Sequence, residues 1–249
     1  MVVAAHPHTG LQTVTWLFEG AIDHRDSIGT KQTISPGQLN LMTAGHGISH
    51  SELSLATSEN LHAVQLWIAL PESVRNQAPA FEHQANLPLL NLGDYQARVL
   101  VGEFAGAKSP TKVFSDLMGV EIRIPAEKKI SLELNPDFEY GLLAVQGNLA
   151  AGVTSLEDIT EHNLGFWPTG NSSLEIESTS GDVIAILLGG RPMQEKILMW
   201  WNFIGRTHEE IVEARNQWNA RSDRFGQFVD EIGDWIPAPE LPNLVLQPR

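Results

Sequence analysis

The sequence has 249 residues, 42% hydrophobic and 18% charged, which is typical of a globular chain that forms one large domain or two ordinary ones. It has no cysteine, which excludes a disulfide scaffold, a cysteine-ligated metal site and a cysteine nucleophile. Thirty acidic residues against sixteen basic ones give a formal charge of −14, which opposes direct binding of nucleic acid because the phosphate backbone is also negative.

The N-terminal residues do not resemble a targeting signal. They lack a basic region followed by a long apolar run, and no apolar run in the chain reaches the length that spans a membrane. We therefore expect a cytoplasmic protein that has no direct contact with a membrane or with nucleic acid.

The chain then has the pattern of many short strands separated by turns. Runs of β-branched and aromatic residues end at Gly or Pro, as in TVTWLFEG at 13–20 and LHAVQLWIALP at 61–71. A strand, a glycine turn and a further strand return in FEYGLLAVQGNLAAG at 138–152. Short strands at regular spacing are typical of β-sandwiches and jelly-roll barrels. The repetition of this strand–turn–strand pattern in the two halves predicts a duplicated all-β architecture, with one barrel over 1–110 and a second over 111–249.

The C-terminal part has a different pattern. Thr207 and Glu210 have the spacing of a capping box, which predicts a short helix over 207–218. The apolar residues that recur there at helical spacing are Ile211, Ala214 and Trp218. Four prolines follow Trp235, so we expect the tail to be extended and to lie over the surface.

Two pairs of candidate metal ligands stand at strand spacing. One residue separates His6 from His8 in HPH, and one residue separates His50 from Glu52 in HSE. Alternate side chains of a strand share a face, so each pair is either exposed to solvent or converges on a partner. Nine histidines also produce close pairs by chance. If the two strands are neighbours in a barrel, three imidazoles and one carboxylate meet inside it, a donor set that suits Fe, Mn, Co, Ni, Cu or Zn.

These segments carry a resemblance to a known family. HPHTGLQTVTWLFEGAIDHRDSIG and ISPGQLNLMTAGHGISHSE closely resemble the pirin family of bicupins, and LHAVQLWIALP and LLGGRPMQEKILMWWNFIGRTHEEI are similar to later pirin segments. The resemblance covers nearly the whole chain. It implies two cupin barrels packed together, of which the N-terminal one holds a single divalent metal ion, usually iron, and the C-terminal one holds none. The metal ligands that it implies are His6, His8, His50 and Glu52.

Two features depart from the family pattern. Gln12 stands where many pirins have Glu, but that position is not a metal ligand in pirins. In the family a longer segment that forms early strands precedes the HPH motif, whereas five residues precede His6 here. We therefore expect the N-terminal strands of the first barrel to be missing.

Other polar residues lie near the two pairs in the sequence. HRDS is interpreted as a turn that places His24, Arg25 and Asp26 near the first pair, with a surface ion pair as the role of Arg25 and Asp26. His46 in TAGHGISH either lines the mouth of the site or belongs to a flexible loop. His83 in AFEHQANLP is assigned to a polar linker.

The resemblance implies two kinds of function. Family members resemble quercetin 2,3-dioxygenases, so we expect a metal-dependent dioxygenase that acts on a small aromatic or flavonol-like substrate. Glu52 then either remains a metal ligand or accepts a proton as the catalytic base. The alternative is a non-enzymatic, redox-responsive regulator that binds a protein partner, either a transcription factor or a metabolic enzyme. A storage-type bicupin without activity is disfavoured, because buried ligands without a metal are costly.

Overall fold

The computed structural model describes residues 1–56, 60–227 and 235–248. The chain divides into two compact units. The first unit consists of Met1–Asn86 and Gln194–Arg249, and the second unit of Leu87–Met193. The predicted all-β class is confirmed, since strands make up 49% of the chain and helix 6%.

The first unit begins with eight strands that form two four-stranded antiparallel sheets. In chain order these strands are β1 (Val2–His8), β2 (Leu11–Glu19), β3 (Ile22–Asp26), β4 (Lys31–Ile34), β5 (Leu39–Thr43), β6 (Ile48–Ser54), β7 (His62–Ala69) and β8 (Ala80–Gln84). The order is β1-β6-β3-β4 in one sheet and β7-β2-β5-β8 in the other. The chain therefore crosses repeatedly between the sheets, as in a jelly roll.

Apolar side chains from both sheets pack together inside the first unit. Leu17 of β2 packs with Ile22 of β3, and Met42 of β5 packs with Ile48 of β6 and Phe81 of β8. These residues are apolar at alternate positions of their strands, so they turn one face of each sheet inward. The two sheets thus enclose a common interior.

The second unit contains a six-stranded and a four-stranded sheet. Its strands are β9 (Leu89–Asn91), β10 (Gln96–Val101), β11 (Glu103–Phe104), β12 (Ala107–Lys108), β13 (Leu117–Ile124), β14 (Lys129–Glu133), β15 (Glu139–Gln146), β16 (Leu149–Gly152), β17 (Glu157–Ile159), β18 (Leu164–Trp167), β19 (Ser173–Ser178) and β20 (Val183–Gly190). The sheet orders are β18-β15-β20-β13-β10-β9 and β14-β19-β16-β17, and β11 pairs with β12. Aliphatic and aromatic side chains fill the interior between the sheets.

The division into units differs from the boundary at residue 110 that the sequence pattern favours. Strand β10 hydrogen-bonds to β13 and so belongs to the six-stranded sheet of the second unit. The chain returns to the first unit at Gln194. Both boundaries between the units depend on pairing between strands that are distant in the chain. A change in local composition does not reveal such pairing.

The C-terminal part of the first unit adds a hairpin and the predicted helix. Strands β21 (Leu198–Trp200) and β22 (Phe203–Gly205) pair, and α1 (His208–Asn219) follows, with Thr207 accepting a hydrogen bond from the Glu210 N–H at its N-terminus. The buried residues of the helix are Ile211, Ala214 and Trp218, as its spacing predicts. Together with Phe203 they form an apolar cluster.

The described part of the tail packs against α1 and β1. The indole N–H of Trp218 donates to the Ile236 carbonyl at 2.9 Å, and the Ile236 N–H donates to the Ala5 carbonyl at 2.8 Å. Strand β1, which carries His6 and His8, therefore has the tail on one side and β6 on the other. Among the described residues, no helix is long and apolar enough to span a membrane.

Candidate metal centre

Three neighbouring strands, β1, β6 and β3, place three pairs of polar residues on one face of their sheet. In the β1–β6 ladder His6 lies opposite His50, and in the β3–β6 ladder His24 lies opposite Glu52 and Asp26 lies opposite His50. Residues that lie opposite each other share a face of the sheet. All of these side chains are buried, as is His8. The HxH and HxE pairs thus point into the interior together.

The three predicted imidazole ligands form one tight group. Ring centroids lie 4.3 Å apart for His6 and His50, 5.0 Å for His8 and His50, and 5.1 Å for His6 and His8. The Nε2 atoms of His8 and His50 are 3.1 Å apart. Two nitrogens bound at right angles to one ion, each at about 2.1 Å, lie about 3.0 Å apart. The spacing therefore matches that of two ligands of one metal ion.

Glu52 belongs to a second, overlapping group. Its carboxylate lies with His24 and His50 in a triplet whose donor atoms are within 4.8 Å of one another, just as those of His6, His8 and His50 are. The Gln65 amide donates to Glu52 Oε1 at 2.9 Å and thereby orients the carboxylate. His50 is common to both triplets. The four predicted ligands are thus divided between two triplets that share His50, and the second triplet also contains His24.

Burial controls the electrostatics of these groups. Loss of hydration lowers the pKa of His6 and holds the pKa values of His8 and His50 well below their usual range, with His6 the next cause for both. Burial also raises the pKa of Glu52. The imidazoles therefore stay neutral, which is the form that binds metals through a ring nitrogen.

Residues 24–26 do not form the turn that the sequence analysis assigns to them. They end strand β3, and the turn begins after Asp26. His24 is buried against His50, and Asp26 is buried and accepts hydrogen bonds from the N–H groups of Ile28 and Thr30. Burial acts to raise the pKa of Asp26, but hydrogen bonds from His24 and Thr30 outweigh it and lower the pKa. The interpretation of Asp26 as part of a surface ion pair is wrong; Arg25 pairs with Asp23 instead.

The remaining residues singled out in the sequence lie elsewhere. Gln12 is on β2, where its amide donates to Thr43 Oγ1 at 2.9 Å. His46 is exposed and borders a different cavity from the one over the imidazoles. His83 is on strand β8 rather than in a linker, and its ring Nδ1 lies 2.8 Å from Asn40 Oδ1.

A cavity of about 480 Å³ opens over the candidate metal centre. His6, His8 and Glu52 reach its surface, and Trp67, Trp201 and Ile236 provide apolar walls. The rings of His8 and Trp67 pack edge to face, with their centroids 5.2 Å apart. Sites of a few hundred Å³ with apolar walls and a few polar groups are typical for small organic ligands.

The donor set fits a transition metal. Three neutral imidazoles and a carboxylate suit Fe, Mn, Co, Ni, Cu or Zn, whereas Mg and Ca prefer oxygen ligands alone. The site is thus compatible with a single metal ion. Within the described residues, every group of three or more side chains that could hold a metal lies in the first unit.

The sequence pattern places His24 and Asp26 near the site but in a turn, and it gives no indication of Gln65 or Trp67. Ile22, His24 and Asp26 alternate at strand spacing, a signal that could have placed His24 beside His50. Gln65 and Trp67 also alternate on β7, but their strand belongs to the opposite sheet. Only the packing of the two sheets brings Gln65 to Glu52.

Comparisons with known proteins agree with this architecture. A family model described as Pirin matches residues 1–68, and one described as Pirin C-terminal cupin domain matches residues 119–226. A Pseudomonas aeruginosa protein named as a candidate quercetin 2,3-dioxygenase is 41% identical over 242 residues, which cover 97% of this chain and 76% of that protein. A pirin-like protein of Caulobacter vibrioides is 33% identical over 246 residues, covering 96% of this chain and 82% of the relative.

Solved structures give the same result. The crystal structure of a quercetin 2,3-dioxygenase from Acinetobacter baumannii matches with a TM-score of 0.93 and 43% identity, over 98% of this chain and 80% of that chain. A bacterial pirin of Escherichia coli, solved in complex with nickel(II), matches with a TM-score of 0.59 and 21% identity, which concerns the fold alone. The resemblance noted in the sequence and the expectation of two cupin barrels are confirmed. This chain belongs to the pirin family.

Proposed function

We propose that this protein is a mononuclear, metal-dependent dioxygenase of the quercetin 2,3-dioxygenase type. Its metal ligands are His6, His8, His50 and Glu52, its metal is iron, and its substrate is a flavonol or a similar small aromatic compound. The observation that carries the proposal is the convergence of three buried imidazoles and a carboxylate beneath a cavity with aromatic walls. The names of two similar proteins, from Pseudomonas aeruginosa and Acinetobacter baumannii, support the same activity.

The three imidazoles hold the ion, and each is preorganised for it. Burial keeps them neutral, so little proton release accompanies metal binding. When bound, such an ion supplies Lewis acidity and redox chemistry to a substrate beside it.

Glu52 is the proposed proton acceptor. A flavonol must lose the proton of its 3-hydroxyl group to become electron-rich, and a carboxylate whose pKa is raised by burial is a stronger base than an exposed one. Gln65 occupies Oε1 of Glu52, which leaves Oε2 to receive the proton or to bind the ion. Both roles place the substrate oxygens next to Glu52.

The cavity walls position a flat ring. Trp67 and Trp201 present aromatic surface beside His8, so a planar substrate is held by stacking or edge contacts while water is displaced. Holding the substrate close to the reacting groups lowers the entropic part of the barrier.

The test is oxygen consumption by the Fe(II)-loaded protein with quercetin as substrate. Consumption is expected only in the loaded form and is expected to stop when a chelator removes the metal. Glu52→Gln is expected to lower the rate by about 100-fold or more, whereas Glu19→Gln, at an exposed position on β2, leaves it unchanged. Metal content is measured for each variant, so a lost ion is distinguished from a lost base. Loaded protein that consumes no oxygen with quercetin would overturn the proposal.

A further inference from the structure

A chain of three buried side chains leads away from the candidate metal centre. His50 Nδ1 lies 3.4 Å from His24 Nδ1, and His24 Nε2 lies 3.2 Å from Asp26 Oδ2. The other carboxylate oxygen of Asp26 accepts hydrogen bonds from the N–H groups of Ile28 at 3.0 Å and Thr30 at 2.9 Å. The turn after β3 thus anchors the far end of this chain, and its near end is a candidate metal ligand.

With His24 neutral, the anchored end determines the direction of the hydrogen bonds in the chain. A carboxylate only accepts, so His24 must donate through Nε2. A neutral imidazole that carries its proton on Nε2 has a lone pair on Nδ1, so His24 accepts from His50 Nδ1. The proton of His50 is then on Nδ1, and its Nε2 faces His8 Nε2 with a free lone pair.

Two other contacts fit this arrangement. The His24 ring stacks on Phe81, with centroids 4.6 Å apart and planes at 28°, which holds the plane of the ring. His6 Nδ1 lies 2.9 Å from the Ala4 carbonyl oxygen, an atom that only accepts, so the proton of His6 is also on Nδ1. Metal-binding histidines commonly donate their second ring nitrogen to a carboxylate or carbonyl in this way.

We propose that His24 and Asp26 are positioning residues that fix the proton of His50 on Nδ1 and so keep Nε2 free for the metal ion. The consequence for metal binding rests on the proposed function, whereas the position of the proton does not. His24 acts as an inserted relay, because its ring contacts His50 through Nδ1 and Asp26 through Nε2.

The decisive variant is Asp26→Asn, which keeps the shape of the side chain but reverses the hydrogen bonds. The amide oxygen of Asn continues to accept from Ile28 and Thr30, and its NH₂ group then faces His24 Nε2. The NH₂ group donates, so His24 must carry its proton on Nδ1 and donate to His50 Nδ1. His50 is left with its proton on Nε2, where it blocks the metal. The matched control is Asp23→Asn, two residues earlier on β3, where the carboxylate pairs with Arg25 instead.

Nitrogen-15 NMR of the histidine rings in the metal-free protein measures the proton position directly. The parent and Asp23→Asn are expected to carry the His50 proton on Nδ1, and Asp26→Asn is expected to carry it on Nε2. Finding it on Nε2 in the parent, or on the same nitrogen in all three proteins, would overturn the inference. This measurement needs neither metal nor activity.

Titration with Co(II) measures the consequence. The affinity of Asp26→Asn is expected to fall about 10- to 100-fold, while that of Asp23→Asn stays at the parent value. Equal Co(II) affinity in the parent and Asp26→Asn would refute the positioning role. A parent that binds no Co(II) would refute the proposed function, and the NMR result would still decide the proton position.

A second variant guards against a misfolded Asp26→Asn protein. His24→Phe keeps a ring stacked on Phe81 but removes the acceptor for the His50 proton. Folding is checked by the melting temperature of the metal-free form. A folded His24→Phe protein is expected to lose Co(II) affinity as well, and unchanged affinity would count against the relay.

Discussion

The Nε2 atoms of His8 and His50 face each other at 3.1 Å, although 42 positions separate the two residues in the chain. Strands β1 and β6 bring them together, and burial lowers the pKa of both rings, so two neutral imidazoles face each other in the interior. Buried polar groups need a partner. A cation between the two nitrogens would provide one for both.

His50→Ala is expected to abolish stoichiometric metal binding, because His50 is the member shared by both triplets. The control is His46→Ala, four residues earlier, where the side chain is exposed and the backbone carbonyl keeps its contact with Arg224. Elemental analysis of both purified variants after loading with Fe(II) gives the result. Equal metal content in the two variants would contradict the assignment of the site.

Trp67→Ala is expected to weaken flavonol binding about 2- to 12-fold, because one aromatic contact is worth about 0.5–1.5 kcal/mol. Trp67 lines the cavity, and its ring lies 5.2 Å from that of His8. Binding is measured without oxygen by quenching of protein fluorescence. Phe166→Ala, which removes an exposed ring in the second unit, serves as the control. Identical affinities in both variants and the parent would show that flavonols bind elsewhere.

Gly45→Ala is expected to destabilise the first unit more than Gly37→Ala does. Both glycines have positive φ, +55° and +88°, which costs an alanine about 1–2 kcal/mol. At Gly45 the added Cβ also overlaps the carbonyl oxygen of Gln77, whereas nothing lies within 4 Å of it at Gly37. Denaturation in urea is expected to give a difference between the variants of at least about 1 kcal/mol. Equal midpoints and slopes would contradict this packing.

Glu210→Gln is expected to lower the melting temperature at neutral pH by up to about 4 °C. Arg75 Nη2 donates to Glu210 Oε1 at 2.8 Å, and the Arg206 N–H donates to Oε2 at 2.7 Å. Burial acts to raise the pKa of Glu210, but these hydrogen bonds outweigh it and hold the pKa below its ordinary value of 4.5.

The sign of the pH dependence follows from that shift. A carboxyl whose pKa is lowered on folding stabilises the protein at pH values above its unfolded pKa, and this contribution is lost as the pH falls through the folded pKa. The melting temperatures of Glu210→Gln and the parent are therefore expected to converge below pH 4.5. Glu209→Gln, exposed in the same helical turn, is the control. A constant difference between Glu210→Gln and the parent down to pH 3 would refute the role of this carboxylate.

The sequence alone was sufficient for the fold class and for the candidate ligands. Strand spacing puts alternate residues on one face of a strand. The HPH motif therefore predicts that the side chains of His6 and His8 point the same way, and the HSE motif predicts the same for His50 and Glu52. Neither prediction depends on the rest of the fold. The capping residues of α1 are equally local, because Thr207 and Glu210 are one helical turn apart. Such patterns can be recognised in the sequence because they depend only on residues that are close together in the chain.

Only the tertiary structure decided how these local elements combine. The turn residues after Asp26 suggested that the turn begins at His24, but pairing with β6 extends β3 through Asp26 and buries both side chains. Gln65 reaches Glu52 from the opposite sheet, and β10 joins the second unit by pairing with β13. Each of these outcomes depends on hydrogen bonds and packing between segments that are far apart in the chain. A local pattern of residues does not predict the free energy of such contacts.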